Sequence, residues 1–489
     1  MASIKERLSR PVSAIVIDLF RILAGLLIVV YYIRLFREFS LYTSETGLLD
    51  HALQRELFWF TKLSLFYPGC SPTYKIFWLV VGLLGALSLT LGVRPKLGAA
   101  VSWIVAVSVH RWNFAVINLD DSSITLLLWW MLFLPIGHTL TLSTFRGRSD
   151  WRSEAQRFVN GFFLRAFFAN LFIYYLTAGL TKLASALWRE GYALYVVLNL
   201  PLARTQGMWS VEHLPLLWLG NHFTLIMEPL FPFLLLLRKG SPIKYVGGVC
   251  WALFHLGIAT SIGVVYANLT LVLTLILVFH EELGDLIRRR AGEGASFQLL
   301  EWKAPRGTQT LIVSYLLVLL LAMQKGVPGL KVAWEPAMAL LYLGGVAQEY
   351  HLFDWIDRYN WTIHHKIVVI PEGGAEFEMP STAMFEHSIR GFIVQSYLLP
   401  VRWMRVPRPL TGEMRNSVLE RAAQHFVQTQ SATLGPRGKV LVYSKVGRVE
   451  KRDLLSEELW EFELMEFEYD GERARITFPR LPSADREQP

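Results

Sequence analysis

Phe162-Phe-Leu-Arg-Ala-Phe-Phe-Ala-Asn-Leu-Phe-Ile-Tyr-Tyr-Leu-Thr-Ala-Gly-Leu-Thr-Lys-Leu183 is an apolar run of membrane-spanning length that ends in a lysine. Roughly 20 consecutive apolar residues cross a bilayer as one helix. Asn170, Tyr174 and Thr177 fall at i, i+4 and i+7, so one face of this helix is polar while most of the rest is apolar. A polar stripe in a membrane bundle lines a cavity or binds helices together. Lys182, at the margin, snorkels its ammonium to the interface or, where burial disfavours its charge, becomes available as a base. Thr181 precedes it, and Trp188 and Gly191 lie just beyond.

The chain of 489 residues is 53% apolar, 13% aromatic and 18% charged, with a mean hydropathy of +0.35. That composition describes a polytopic α-helical membrane protein with a soluble part. The net charge of +8 does not point to nucleic acid, because the basic residues cluster in short loops between apolar runs. Cys70 and Cys250 cannot form a metal site alone, and a disulfide between a loop cysteine and one in an apolar run is not expected. The run after Arg10 is too long for a signal-peptide core and reads as a retained first helix.

The length requirement yields about nine candidate spans. They lie near Val12–Phe36, Tyr74–Val93, Leu97–Ile117, Ser122–Leu142, Phe162–Leu183, Phe223–Leu237, Tyr245–Val265, Asn268–Phe279 and Thr310–Met323. The eighth is short, so the expectation is eight or nine. If all cross, the basic clusters share one side: Lys5, Arg7 and Arg10; Arg94 and Lys96; Arg146 to Arg157; Arg238 to Lys244; Arg288 to Arg290. That side is cytoplasmic by the positive-inside rule, in the cytoplasmic (inner) membrane. The opposite loops carry His110–Asp121, Lys182–Asn221 and Ser261–Asn268.

Residues 1–325 therefore read as a transmembrane domain and 326–489 as an extracytoplasmic α+β domain. Glu461 to Tyr469 alternates charged and apolar side chains with a break at Leu464-Met465, and Asp470-Gly471 offers a hairpin turn before Arg473–Phe478. Lys439–Val446 and His365–Ile370 read as further strands, Thr411–Gln430 as an amphipathic helix.

Four constellations could carry chemistry. Asp18 and Arg21, spaced i,i+3 in the first span, can neutralise each other, which favours a structural ion pair. His110-Arg-Trp-Asn113 followed by Asn118-Leu-Asp-Asp121 offers a histidine and adjacent carboxylates for proton transfer. The carboxylates could instead pair with Arg111 or cap the next helix, Asp121 above all. Lys182 with Asn170, Tyr174 and Thr181 is the third. The fourth is Phe254-His255-Leu256-Gly257 with Thr260 and Ser261, where His255 is a hydrogen-bonded core residue or a catalyst in the same outer half as Lys182. Glu228-Pro229 is a further intramembrane carboxylate whose neighbours the sequence does not reveal. His364-His365 lacks the additional ligands of a zinc site and reads as strand surface.

Ser108-Val-His-Arg-Trp-Asn-Phe-Ala-Val-Ile-Asn-Leu-Asp-Asp121, with Leu132-Phe-Leu-Pro135, resembles the signature of the horizontally transferred transmembrane (HTTM) family. That family includes the vitamin K-dependent γ-glutamyl carboxylases. Tyr175-Leu-Thr-Ala-Gly-Leu-Thr-Lys-Leu183 is similar to the carboxylase segment that ends in two lysines and a leucine. The second of these, the proposed base, matches Lys182, and Thr181 stands in place of the first. Phe254-His-Leu256 resembles a histidine-leucine stretch in a later carboxylase span. The similarity covers roughly residues 12–285. It implies a carboxylase- or epoxidase-like reaction, spanning lyase and oxidoreductase chemistry. A reduced quinone (vitamin K hydroquinone or menaquinol) is deprotonated, oxygen adds, and a strongly basic alkoxide abstracts a carbon-bound hydrogen from a peptide or small molecule, to which carbon dioxide can add. On this resemblance Lys182, His110, Asp120 and His255 are the catalytic candidates, and Asn113, Tyr174 and Trp188 those for the cofactor. The C-terminal region is shorter than the carboxylase lumenal region.

The other class of function is a non-enzymatic membrane transporter or maturation partner whose polar residues stabilise the bundle. Convergence of Lys182, His110 or Asp120, and His255 on one site separates the two. A reporter fused after Arg480 is expected to lie outside the cytoplasm; a cytoplasmic reporter would overturn that sidedness.

Overall fold

The computed structural model describes residues 6, 8–200, 202–205, 207–292, 298–300, 305–323, 331–347, 361–386, 388–398, 412–448 and 460–477. Lys5, Arg7, the expected boundary at Lys325, Phe478 and the chain from Arg480 onward lie outside them. A short strand β1 (Pro11–Ser13) leads into helix α1 (Ala14–Arg37). Then come α2 (His51–Leu57), α3 (Pro72–Leu91), α4 (Pro95–Trp112), α5 (Leu119–Phe133), β2 (Arg157–Asn160), α6 (Phe162–Ala184) and α7 (Ala186–Glu190). The bundle continues with α8 (Leu214–Leu230), α9 (Pro242–Ser261), α10 (Val265–Val278), α11 (His280–Ala291), β3 (Gln298–Leu299), α12 (Arg306–Ala322) and α13 (Lys331–Leu343).

Among the described residues, 5 helical stretches are long and apolar enough to cross a membrane: α1, α3, α6, the stretch Val211–Leu236 that contains α8, and α9. Their outward faces carry large apolar side chains, with Leu84 57%, Leu219 62% and Leu253 64% exposed. So much exposed apolar surface is unfavourable in water and natural in lipid. The protein is an integral membrane protein.

Local chemistry sets the helix ends. Proline occupies the first turn of α3, α4 and α9, where its missing N–H costs no helical bond. Gly92, at φ 71°, closes α3 in the left-handed conformation that a glycine adopts without strain. Helix α5 is shorter than the expected span Ser122–Leu142. It stops at Phe133 because Pro135 follows and Gly137 turns the chain at φ 84°. The turn aims the N–H groups of Gly137, His138 and Thr139 at the Asp18 carboxylate, at 2.6, 3.0 and 2.7 Å. Arg21 bonds Asp18 at 2.7 Å and donates to the carbonyls of Leu89, Thr90 and Leu140. The expected pair thus exists, and it fastens the ends of α3 and α5 to α1.

Around this end lie the small sheet β1-β2-β3 and α11. We call it the β1 end. At ~1.5 Å per residue α1 is about 36 Å long, so Arg34, Glu38 and Tyr42 belong to the opposite end. There the termini of α4, α5 and α10 meet. The C-terminal unit docks on that far end. Its sheet has the order β5-β4-β6-β7-β8: β4 (Trp361–Pro371), β5 (Phe377–Pro380), β6 (Arg437–Arg448), β7 (Trp460–Asp470) and β8 (Arg473–Thr477). Helix α14 (Ile389–Ser396) follows β5, and α15 (Gly412–Leu434) precedes β6. The break expected at Leu464-Met465 is a β-bulge: Val442 pairs Met465 and Tyr443 pairs Glu463, leaving Leu464 unmatched. Asp470 pairs Arg473 across a turn that contains Gly471. Tyr42, Leu48, Leu49, Ala115 and Val116 of the bundle end share one apolar core with Val418, Phe426 and Phe467 of this unit.

Asp18→Ala is expected to destabilise the protein in detergent by about 3–5 kcal/mol, because it strands a fully buried guanidinium; thermal unfolding of the purified variant measures it.

Candidate functional site

A close helix contact builds the first group. A Cβ on Gly179 would meet Pro229 at 2.6 Å, so only a glycine lets α6 and α8 approach this closely. Lys182 follows Gly179 by one helical turn, and Glu228 is adjacent to Pro229. Their side chains meet with Lys182 Nζ 2.7 Å from Glu228 Oε2, both buried. The pair is neutral overall whichever partner holds the proton. Lys182 Nζ also lies 5.7 Å from the centre of the Trp188 ring, within cation–π range. The Trp188 carbonyl accepts from Asn221 Nδ2 at 2.6 Å.

His255 of α9 lies in the same region. Its Nε2 is 2.5 Å from the Tyr175 hydroxyl and its Nδ1 2.8 Å from Asn268 Oδ1. Asn268 Nδ2 donates to the Val264 carbonyl at 2.6 Å, which turns its oxygen toward the imidazole. Neutral His255 therefore carries its proton on Nδ1, and Nε2 accepts from Tyr175. The result is a directed chain, Tyr175 to His255 to Asn268, with Trp251, Phe231 and Phe254 packed around it. Tyr174, also buried, packs edge-on against Tyr175 at 4.9 Å. Asn170, further along the stripe, joins helices: its Oδ1 accepts from Trp130 Nε1 and the Tyr315 hydroxyl.

The second group contains His110 and Asp120. His110 Nε2 is 2.6 Å from the Tyr31 hydroxyl, which donates to Asp121 at 2.7 Å. Asp121 also completes the capping box of α5 with Asn118, as its position suggested. Asp120 does something the sequence did not show. It accepts from the backbone N–H groups of Val265 and Ala267, at 3.3 and 2.9 Å, and so caps α10 from the neighbouring helix. Arg34 approaches it at 3.4 Å and pairs with Glu38 at 2.5 Å. Arg111 does not pair with either carboxylate. It donates to the carbonyls of Leu63 and Leu343.

Asn113 belongs to a third cluster. Its Nδ2 donates to Thr43 Oγ1 at 3.1 Å and its Oδ1 faces His51 Nε2 at 3.4 Å. His51 stacks on Trp112 at 4.1 Å and bonds the Tyr42 carbonyl. Burial, with the Lys75 charge nearby, pushes its imidazole down to about 3, so it is neutral at ordinary pH. His365 is half-buried in β4, its ring 6.4 Å from Phe385.

The first two groups are distinct sets of contacts joined by the first turn of α10. Asp120 holds the backbone of Ala267, and the next residue, Asn268, holds His255. Glu228 was visible in the sequence without a location. Tyr31, Tyr175, Glu38 and Asn268 were not singled out, since tyrosines in an apolar run look like any aromatic core. Comparisons with protein-family models, curated proteins and solved structures found no match.

Asp120→Ala is expected to lower stability by about 0.5–2 kcal/mol, the range of a lost helix cap. Asp120→Asn keeps one acceptor oxygen and should cost less. Unchanged unfolding temperatures with lost function would make Asp120 a chemical group instead of a brace.

Proposed function

We propose that this protein is a membrane-embedded, quinol-dependent enzyme of the kind its signature segments resemble. It couples hydroquinone oxidation to modification, carboxylation included, of a peptide or small molecule. In this reading all nine candidate segments cross the cytoplasmic membrane, and that odd number places the N-terminus in the cytoplasm and the C-terminal unit outside. Supporting this, α10 accompanies α9 from the His255–Asn268 contact, past Trp251 bonding Leu271, to the Lys244–Glu282 pair just beyond its end. That path beside its neighbour supports a crossing for α10 despite its 14 residues.

The observation that carries the proposal is the meeting of Lys182 with Glu228 beside the Tyr175–His255 chain, inside an aromatic enclosure. A hydroquinone head group is a flat ring with two hydroxyls. The aromatic side chains of Tyr174, Tyr175 and Trp188 suit the ring, and Lys182 suits a hydroxyl. When bound, the quinol supplies two electrons, which oxygen accepts. The residues manage protons. The Lys182–Glu228 pair takes up one proton and is left with a charge of +1, and His255 holds the Tyr175 hydroxyl in place beside it. The apolar surroundings exclude water that would quench a strong base.

A second reading is a transporter or maturation partner. One observation favours it: Lys182, His255, His110 and Asp120 each have an internal partner, as bundle-stabilising residues would.

Oxygen consumption driven by a reduced naphthoquinone, measured on the protein in lipid nanodiscs, decides between them. Lys182→Arg is expected to be as inactive as Lys182→Ala, because a guanidinium keeps its proton. Glu228→Gln should retain measurable turnover if the amine is the acceptor. Near-normal turnover in Lys182→Arg refutes the base, and no turnover in the unaltered protein with any quinol refutes the enzyme.

A further inference from the structure

Arg390, on α14 of the C-terminal unit, is 1% exposed and reaches into the far end of the bundle. Its Nη1 lies 2.7 Å from Glu38 Oε2 and its Nη2 2.8 Å from Asp121 Oδ1. The guanidinium also lies 5.3 Å from the centre of the Tyr42 ring. Burial works against its charge, but Asp121 and Glu38 more than offset this and raise its pKa above the usual guanidinium range. The cation is permanent.

Among the described residues it belongs to a connected cluster with Arg34, Glu38, Asp120, Asp121, His110, Tyr31, Tyr42 and Tyr266, with Glu386 bonded to the Tyr42 hydroxyl. Asp121 accepts from four donors. Arg390 and Tyr31 serve Oδ1, and the backbone N–H and Nδ2 of Asn118 serve Oδ2. The Asn118 amide is itself oriented, since its oxygen accepts from the Asp120 N–H at 2.9 Å. A carboxylate so surrounded has no lone pair left for a proton. Tyr31, with one hydrogen, must then give it to Asp121. His110 Nε2, 2.6 Å from the same hydroxyl, can only donate to it. Neutral His110 is therefore the Nε2–H tautomer, with its lone pair on Nδ1.

We propose that Arg390 is a positioning residue through which the C-terminal unit sets the direction of the Asp121–Tyr31–His110 hydrogen bonds and so decides which nitrogen of His110 can accept a proton. Without the guanidinium, Glu38 and Asp121 are neighbouring carboxylates with one cation fewer. Asp121 then takes up a proton and donates it to the Tyr31 oxygen. The Tyr31 hydrogen turns to His110 Nε2, and the proton of the imidazole moves to Nδ1. The C-terminal unit is on this view a part of the site, and Arg390 acts through Asp121 without touching the reacting atoms. The consequence for turnover rests on the quinol-dependent reading. The tautomer does not.

Nitrogen NMR of histidine-labelled full-length protein in nanodiscs tests it, with His110→Gln identifying the His110 signals. The unaltered protein is expected to show the Nε2–H form. Arg390→Lys, which keeps the charge, should preserve it, and Arg390→Gln should convert most molecules to Nδ1–H. Glu38→Gln leaves the Arg390–Asp121 bond and should change nothing. An Nδ1–H form or an imidazolium in the unaltered protein overturns the proposal, even if Arg390→Gln does not fold. So does an unchanged tautomer in a folded Arg390→Gln. If the protein oxidises a reduced naphthoquinone, Arg390→Gln should lose at least tenfold in turnover while Arg390→Lys keeps most of it. Equal losses in both variants would reduce Arg390 to a structural contact.

Discussion

A charge carried into a low-dielectric bundle must meet its opposite there, and that requirement shapes both ends of this protein. At the β1 end, Asp18 and Arg21 compensate each other and spend their remaining valences on backbone groups of the α3 terminus and the turn after α5. At the far end the same requirement recruits the C-terminal unit, since Glu38 and Asp121 share the cation of Arg390. Between them, Lys182 and Glu228 neutralise one another across α6 and α8. Helix N-termini join the accounting too: Asp121 is held at the start of its own helix, and Asp120 at the start of α10.

Polar connections, unlike apolar ones, have direction. In both groups an amide fixes the sense of a hydrogen-bond chain: Asn268 for His255, and Asn118, through Asp121, for His110. The two histidines consequently differ. His255 keeps its proton on Nδ1 and His110 on Nε2, a distinction that ring position alone would not supply. The backbone of α10 passes from one group to the other within a single peptide unit, so a shift of that first turn would be felt by both.

What could be read from the sequence was what depends on local pattern. Long apolar runs became helices, the Asp470-Gly471 turn closed a hairpin, and the interrupted alternation at Leu464-Met465 became a bulge, because each is decided by a few adjacent residues. The Asp18–Arg21 pair was legible for the same reason. The length of α5 was misjudged, since hydropathy continues past Phe133 while Pro135 and Gly137 end the helix. Glu228 could be seen but not located, because its partner depends on how α8 is rotated against α6, and a glycine–proline contact sets that rotation. Adjacent carboxylates pointed to different helices, and nothing in Asn118 to Asp121 announces that α10 begins next to Asp120. Arg390 was invisible as a site residue, for its two partners lie 352 and 269 positions earlier.

That separation bears on how the protein is made. Glu38 and Asp121 leave the ribosome long before Arg390, and at 5–20 residues per second the 352 intervening positions take roughly 20–70 s. Until then Glu38 has Arg34 alone as its cation, and Asp121, once made, has the hydrogen bonds of Tyr31 and Asn118 without a guanidinium of its own. With one cation fewer than in the finished protein, the carboxylate left without a charge partner favours hydration or protonation, which works against closing the tops of the first and fifth helices. A segment synthesised late thus closes an end begun early, and a chain truncated before Arg390 would leave Glu38 and Asp121 without that closing cation.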